Sequence, residues 1–297
     1  MGTVTMGTKF PANLSNEMLN LVRGKSSLAK MSGQRPLSFA GTDVFTFTLD
    51  KEADIVGESG AKSVGGATVA PVQVRPFKVE YSARFSDEFM IASEEARLDT
   101  LRAFTEGFAA KAARVLDIAA LHGVNPRTGQ ASAVIGNNNF DYKLSSNKTT
   151  ATTSANADVE TAVAAVQGRE HEVTGMIMAP AFRSSLAAET KGDGTPLLPE
   201  LSWGAAPSEI KGLPVDVNNT VAFGQSLDLA LLGNFRDFLR WGMAKDIFIK
   251  TYDVGNPDNS QDGDLASLNQ ILLRGECYIG YGILVADAFQ LIVSSGE

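Results

Sequence analysis

Asp258, Ser260, Asp262 and Gly263 repeat the first half of a calcium loop, D-x-[DNS]-x-[DN]-G, in which hard oxygen atoms converge on a cation and the glycine makes a sharp turn. Carried on to twelve residues, that register puts Asn269 where a bidentate glutamate is needed, and no helix pattern flanks the loop. The stretch therefore reads as a polar turn between two long strands. Gly57 to Ser63, G-E-S-G-A-K-S, has the composition of a phosphate loop but misses the G-x4-G-K-[ST] spacing and any buried strand-to-helix junction. It reads as a hairpin tip. His122 and His171 are the only histidines and Cys277 the only cysteine, and none stands at zinc spacing from another. His122 ends a helix pattern, where a cation suits the C-terminal dipole. His171, between Glu170 and Glu172, reads as solvated. There is no G-x-S-x-G elbow or comparable nucleophile context. No cofactor, resident metal or hydrolytic activity is expected.

The elements around these residues follow from periodicity. Phe45, Phe47 and Leu49 alternate with Val44, Thr46 and Thr48 and predict a strand over Asp43 to Leu49. Alternation resumes at Val69, Val72 and Val74 and runs on through Phe77, Val79, Tyr81, Ala83 and Phe85. Pro71 and Pro76 confine the first half of that return strand to an edge. Between the two runs, Val56 to Ala67 holds Gly57, Gly60, Gly65 and Gly66 and almost nothing to bury. Such a hairpin is marginal alone in water and needs cover from outside itself.

Glu94 to Leu121 is the clearest helix. Leu98, Leu101, Phe104, Phe108, Ala112, Val115 and Ala119 step by three or four, acidic residues crowd its start, and Gly123 and Pro126 stop it. Asn137 to Asn156 reads as a loop or solvent-facing hairpin. Short helices are predicted at Asn16 to Val22, Asp158 to Gln167 and Ala181 to Glu189. Strands are predicted at Val173 to Met178, Leu213 to Val217, Leu227 to Leu232, Leu239 to Ile249 and along Leu268 to Val293. Met1 to Thr8 reads as a loose terminus. The segment dotted with Leu28, Met31 and Leu37 has too little periodicity for a core and is expected to reach across another surface. The class is α+β.

A length of 297 residues suffices for one large or two ordinary domains, and 44% hydrophobic with 20% charged residues is a globular balance. One cysteine excludes an internal disulfide framework and fits a reducing compartment. No signal peptide or apolar run of membrane-spanning length occurs, so no membrane partner is expected. A net charge of −8 argues against a dedicated nucleic-acid binder, though not against a shell that encloses a polyanion without gripping it.

Taken in order, several motifs resemble the major capsid proteins of tailed bacteriophages, the Hong Kong 97-like fold. They are A-D-I-V-G-E (Ala53 to Glu58), F-S-D-E-F (Phe85 to Phe89) and the L-x-G-x-x-P-x-T-G turn (Leu121 to Gly129). G-M-I-M-A-P (Gly175 to Pro180), K-G-L-P-V (Lys211 to Val215), L-G-N-F-R-D-F (Leu232 to Phe238) and E-C-Y-I-G-Y-G-I-L-V-A-D-A-F (Glu276 to Phe289) continue the match over nearly the whole chain. The resemblance implies an N-terminal arm over 1–40, an extended loop hairpin over 41–79, a peripheral domain with a long spine helix over 80–125 and 240–277, and an apical α/β domain over 126–239 and 278–297. It further implies hexamers and pentamers of an icosahedral virion capsid enclosing double-stranded DNA, assembled in the bacterial host cytoplasm. An encapsulin-like nanocompartment shell holding enzyme cargo is the alternative with the same fold.

Because the arm begins almost at Met1, a separate scaffolding protein is expected, or else a mature form, with a portal as further partner. DNA would be touched non-specifically through arm residues such as Lys9, Arg23, Lys25 and Lys30. Some members of this family weld subunits through a Lys–Asn isopeptide bond. The resemblance makes Lys62, Asn269 and Glu276 the candidates: a desolvated Lys62 amine attacks the Asn269 side-chain amide of a neighbouring subunit, ammonia leaves, and Glu276 of that neighbour takes the amine proton. The plainer reading is that Lys62 is a solvated loop charge and Glu276 the partner of an arginine.

Overall fold

The computed structural model describes residues 22, 24–88, 94–201 and 207–295. The readings made for Met1 to Thr8, for the helix from Asn16 up to Val22, and for Lys9, Arg23 and Phe89 lie outside the described residues. Three sheets and one long helix organise the rest.

The first sheet has two strands. β1 (Thr42–Leu49) pairs antiparallel with β2 (Ala67–Val74), Thr42 opposite Val74 and Leu49 opposite Ala67. Both strands are edges, so Pro71 sits opposite Phe45 without costing a ladder bond. The return strand is not continuous, however. Arg75 and Pro76 interrupt it, and β3 (Phe77–Ser86) crosses to a second sheet. Proline has no N–H with which to continue the ladder, and it forces the preceding residue to redirect the chain.

In the second sheet β3 pairs with β10 (Gln270–Ile283), which pairs in turn with β9 (Leu239–Tyr252), all antiparallel. The third sheet has six strands, in the order β4 (Lys148–Thr150), β11 (Phe289–Val293), β8 (Asp228–Gly233), β5 (Gly175–Met178), β7 (Leu213–Val217) and β6 (Glu209–Ile210). The run predicted as strand over Leu268 to Val293 is thus two strands in two sheets. A 3-10 turn over Ala286–Ala288 parts them. The predicted loop over Asn137 to Asn156 also holds structure: a one-turn helix α3 (Phe140–Lys143) and strand β4. Phe140 and Leu144 are its anchors, both fully buried.

The long helix α2 spans Glu94–His122. Phe108, Ala112 and Ala119 are buried as the periodicity requires. From Leu116 to Leu121, though, every residue is buried, including Asp117, so this half of the helix is enclosed on all sides rather than amphipathic. Phe108 lies across Gly275 of β10, where a Cβ would come within 2.9 Å of the ring; glycine lets helix and strand approach. Beyond the helix, Gly123 takes a left-handed φ of 67° and its N–H returns to Ala119 O at 3.0 Å. Helices α4 (Ala155–Gln167) and α5 (Pro180–Ala188) pack on the six-stranded sheet through Ala162, Val166, Phe182 and Leu186.

The segment after Val22 does reach across another surface, that of its own chain. A one-turn helix α1 (Ser27–Met31) buries Leu28 and Ala29. The backbone then runs beside β9, with Arg35 N–H donating to Trp241 O at 2.8 Å and Trp241 Nε1–H donating to Ser32 O at 3.3 Å. A Cβ on Gly242 would collide with the Arg35 carbonyl, so only glycine permits this crossing.

Candidate functional site

The loop that resembled half a calcium site is closed by an internal cation. Arg84, from β3, sets Nε 2.8 Å from Asp258 Oδ2 and Nη2 2.5 Å from Oδ1, a bidentate fork. Nη2 also reaches Asn256 Oδ1 at 2.8 Å and Gly263 O at 3.0 Å. The Arg84 hydrogen bond holds the Asp258 carboxyl down at about 2. Ser260 Oγ–H turns to Asp262 Oδ2 at 2.9 Å. The polar turn is thereby stapled to the sheet.

Lys62 lies exposed between β1 and β2. No helix follows Gly57 to Ser63, so that stretch is a hairpin tip and not a phosphate loop. Asn269 is exposed, with a left-handed φ of 50°, and its carbonyl accepts from Asp87 N–H at 2.9 Å. Glu276 is 3% exposed in β10. Its partners are lysines from both flanking strands, not an arginine: Lys78 Nζ at 2.9 Å on Oε1 and Lys250 Nζ at 3.0 Å on Oε2. Burial would raise the Glu276 carboxyl, but those two ammonium groups hold it below its ordinary value. One chain does not bring the three residues together. At about 3.3 Å per residue, Asn269 and Glu276 stand about 20 Å apart along the strand.

Cys277 is fully buried, and burial pushes its thiol up to about 12, which makes it an inert core residue. His171 is half-buried rather than solvated, its ring 5.3 Å edge-on from Phe238.

His122 is the last residue of α2, as the sequence suggested, and its ring bonds other elements rather than the carbonyls of its own helix. Its Nδ1 lies 2.8 Å from Asp141 Oδ2 and 3.4 Å from Asp228 Oδ2, and its Nε2 lies 2.9 Å from Thr220 O. The ring is 5% exposed. Burial lowers its pKa, but the hydrogen bond and charge of Asp141, helped by Thr220 and Asp228, more than offset that and leave it raised. Burial, followed by the neighbouring Asp141, pushes Asp228 up to about 7.

Asp117 is a second buried acid that sequence reading missed. It accepts from Ser26 Oγ–H at 2.6 Å, Ser27 N–H at 3.0 Å, Leu28 N–H at 3.2 Å and Asn218 Nδ2–H at 3.2 Å. A signal for both acids was present: Asp117 and Asp228 each stand alone inside an apolar run, I-A-A-L after one and L-A-L-L after the other. An acid in such a place is buried with partners.

Among the described residues these groups form ion pairs, staples and caps, the arrangement of a framework. No curated protein sequence matches the chain. Solved structures do. A chain from Mycobacterium phage Ogopogo is 30% identical with a TM-score of 0.76, covering 91% of this chain and 92% of that one. One from Gordonia phage Cozz is 21% identical with a TM-score of 0.74, covering 92% and 87%. A chain from the capsid of a native GTA particle is 12% identical with a TM-score of 0.65, covering 100% and 95%. The comparisons lend no support to a nanocompartment shell holding cargo. The model of the phage capsid family matches residues 7–294, and the chain therefore belongs to that family, as a structural major capsid protein of the virion.

Proposed function

We propose that copies of this chain form hexamers and pentamers that close an icosahedral phage head around double-stranded DNA. The observation that carries this reading is the hairpin. Phe45, Phe47, Leu49 and Val69 are 67%, 65%, 66% and 56% exposed, and the register puts Phe47 opposite Val69 on one face. An apolar face of that kind on a two-stranded sheet is an aggregation hazard unless a neighbour covers it. Head-to-tail packing of hairpin onto neighbour is heterologous and closes into a ring when the rotation per subunit is right.

The division into arm (1–40), extended loop (41–79), peripheral domain (80–125 and 240–277) and apical domain (126–239 and 278–297) belongs to this proposal. So do a scaffolding protein, a portal, assembly in the bacterial host cytoplasm, and a purely structural, non-catalytic role. DNA contact is non-specific. Of the two described arm lysines, Lys30 is already held 2.7 Å from Asp216, which leaves Lys25 as the freer charge. Such contact weakens steeply with salt.

Deleting residues 56–67 tests the assembly reading by electron microscopy. The expected product is folded protein that forms no closed shells, and normal shells would overturn the proposal.

A further inference from the structure

His122, Asp141 and Asp228 come from three separate elements, α2, α3 and β8, and each offers one ligand atom within 4.8 Å of the others. We propose that these three side chains bind a divalent transition metal of the zinc class, which ties the end of the long helix to the six-stranded sheet.

The imidazole is set up for it. Nε2 faces the Thr220 carbonyl, which can only accept, so Nε2 carries the hydrogen. Nδ1 gives its own hydrogen to Asp141 Oδ2 at 2.8 Å, and loss of that proton to a bound metal leaves a lone pair aimed between the two carboxyl groups. An N–H···O=C bond from the far nitrogen is the usual outer support of a metal-bound histidine.

One oxygen of the cluster is left over. Asp141 Oδ1 is buried without a hydrogen-bond partner. Without a metal the cluster is held by shared protons: Asp141 bonds both the His122 ring and the Asp228 carboxyl. A dication takes the place of those protons, so binding releases them. Lys148 lies near Asp141 and offsets part of its charge.

The geometry fits a small tetrahedral ion. Bonds of about 2.0–2.1 Å place ligand atoms about 3.3 Å apart. Nδ1 and Asp228 Oδ2 already stand at 3.4 Å. Asp141, at 2.8 Å, has to draw back by about half an ångström. Its one-turn helix and its 36% exposure give it room, and the same opening admits water as a fourth ligand. One imidazole and two carboxylates select zinc or manganese over magnesium and calcium, which ask for six or more oxygens.

The test uses full-length protein as purified particles, stripped with a chelator, dialysed and titrated with zinc chloride. One zinc per chain is expected by elemental analysis, with a higher melting temperature than the stripped particles. Asp228→Asn and His122→Gln should each weaken zinc binding at least ~10-fold while particles still form. Asp228→Asn keeps the shape and replaces a carboxylate ligand by an amide, so it carries the test if His122→Gln fails to assemble. Excess magnesium chloride should not displace the zinc. Stripped wild-type particles that take up no zinc, or variants that bind it as well as wild type, would overturn the proposal and leave the cluster as an ion pair alone.

Discussion

Asp117 on α2 takes the hydroxyl hydrogen of Ser26, a residue 91 positions earlier, at 2.6 Å. With the N–H groups of Ser27 and Leu28 on the same carboxylate, one side chain of the long helix closes the start of α1. Replacing Asp117 with alanine leaves those donors and the Asn218 amide buried without an acceptor, at about 1–3 kcal/mol for each one not rescued by water. The arm should come loose, and trypsin should cut after Lys25 or Lys30 far faster than in wild type. Unchanged cleavage would show that burial of Leu28 and Ala29 holds the arm without the carboxylate.

The same residue makes stability depend on pH. Burial pushes its carboxyl up to about 6, against the pull of Ser26, Ser27 and Leu28. The other charges facing it are Asp216 of β7, which raises it further, and Lys30 of α1, paired with Asp216. A folded pKa raised above 3.8 means stability that is complete below 3.8 and lost as pH rises through about 6. Relative to Asp117→Asn, wild type should therefore lose about 2 kcal/mol between pH 4 and pH 7. Denaturation of both proteins at the two pH values reads this out, and a pH-independent difference would contradict it.

Arg84 and Asp258 predict the reverse sign. Because the Arg84 hydrogen bond holds Asp258 at about 2, the contribution is present above 3.8 and lost as pH falls through about 2. Arg84→Lys keeps the charge but loses the planar fork and its reach to Asn256 and Gly263. Amide exchange across residues 253–269 should quicken in that variant while β9 and β10 stay protected.

Gly242→Ala is the sharpest packing test. The new methyl meets the Arg35 carbonyl, so either the arm or β9 must move. A loss of about 1–3 kcal/mol is expected, with the Arg35–Trp241 hydrogen bond broken. Wild-type stability would mean that the arm crosses β9 elsewhere.

For the subunit weld, the single chain speaks against Glu276 as the base: two lysines engage it and lower its pKa, which weakens it as a proton acceptor, and it lies far along the strand from Asn269. Mature particles boiled in detergent should run as one band near 31.5 kDa. A ladder that vanishes in Lys62→Arg would restore Lys62 and Asn269 as reactive partners.

Long alternating or helical stretches were legible because burial imposes their period: β1, α2, α4 and β9 stand where the pattern put them. The pattern failed where one rhythm served two elements. β10 and β11 alternate alike, and the turn over Ala286–Ala288 that separates them has neither glycine nor proline. It failed again at α3, since four residues are too few to display a helical period. The polar clusters were hidden for another reason. His122 and Asp141 are 19 residues apart, and Ser26 and Asp117 are 91. No spacing motif spans such gaps; only the oddity of a lone acid among apolar residues hints at them.

The two halves of α2 differ in a way that has mechanical meaning. Its 29 residues make a rod about 43 Å long. Leu116 to Leu121 are gripped on every side, while Arg102, Ala103, Glu106 and Gly107 near the other end are exposed. The described length is therefore a beam with graded support. Around those exposed positions one face rests on β3 and β10, Phe104 against Tyr81 and Phe85 and Phe108 against Gly275, while the opposite face is open. Load from a neighbouring subunit on the open face is carried along the rod to the enclosed half, where Asp117 and His122 meet α1 and the six-stranded sheet.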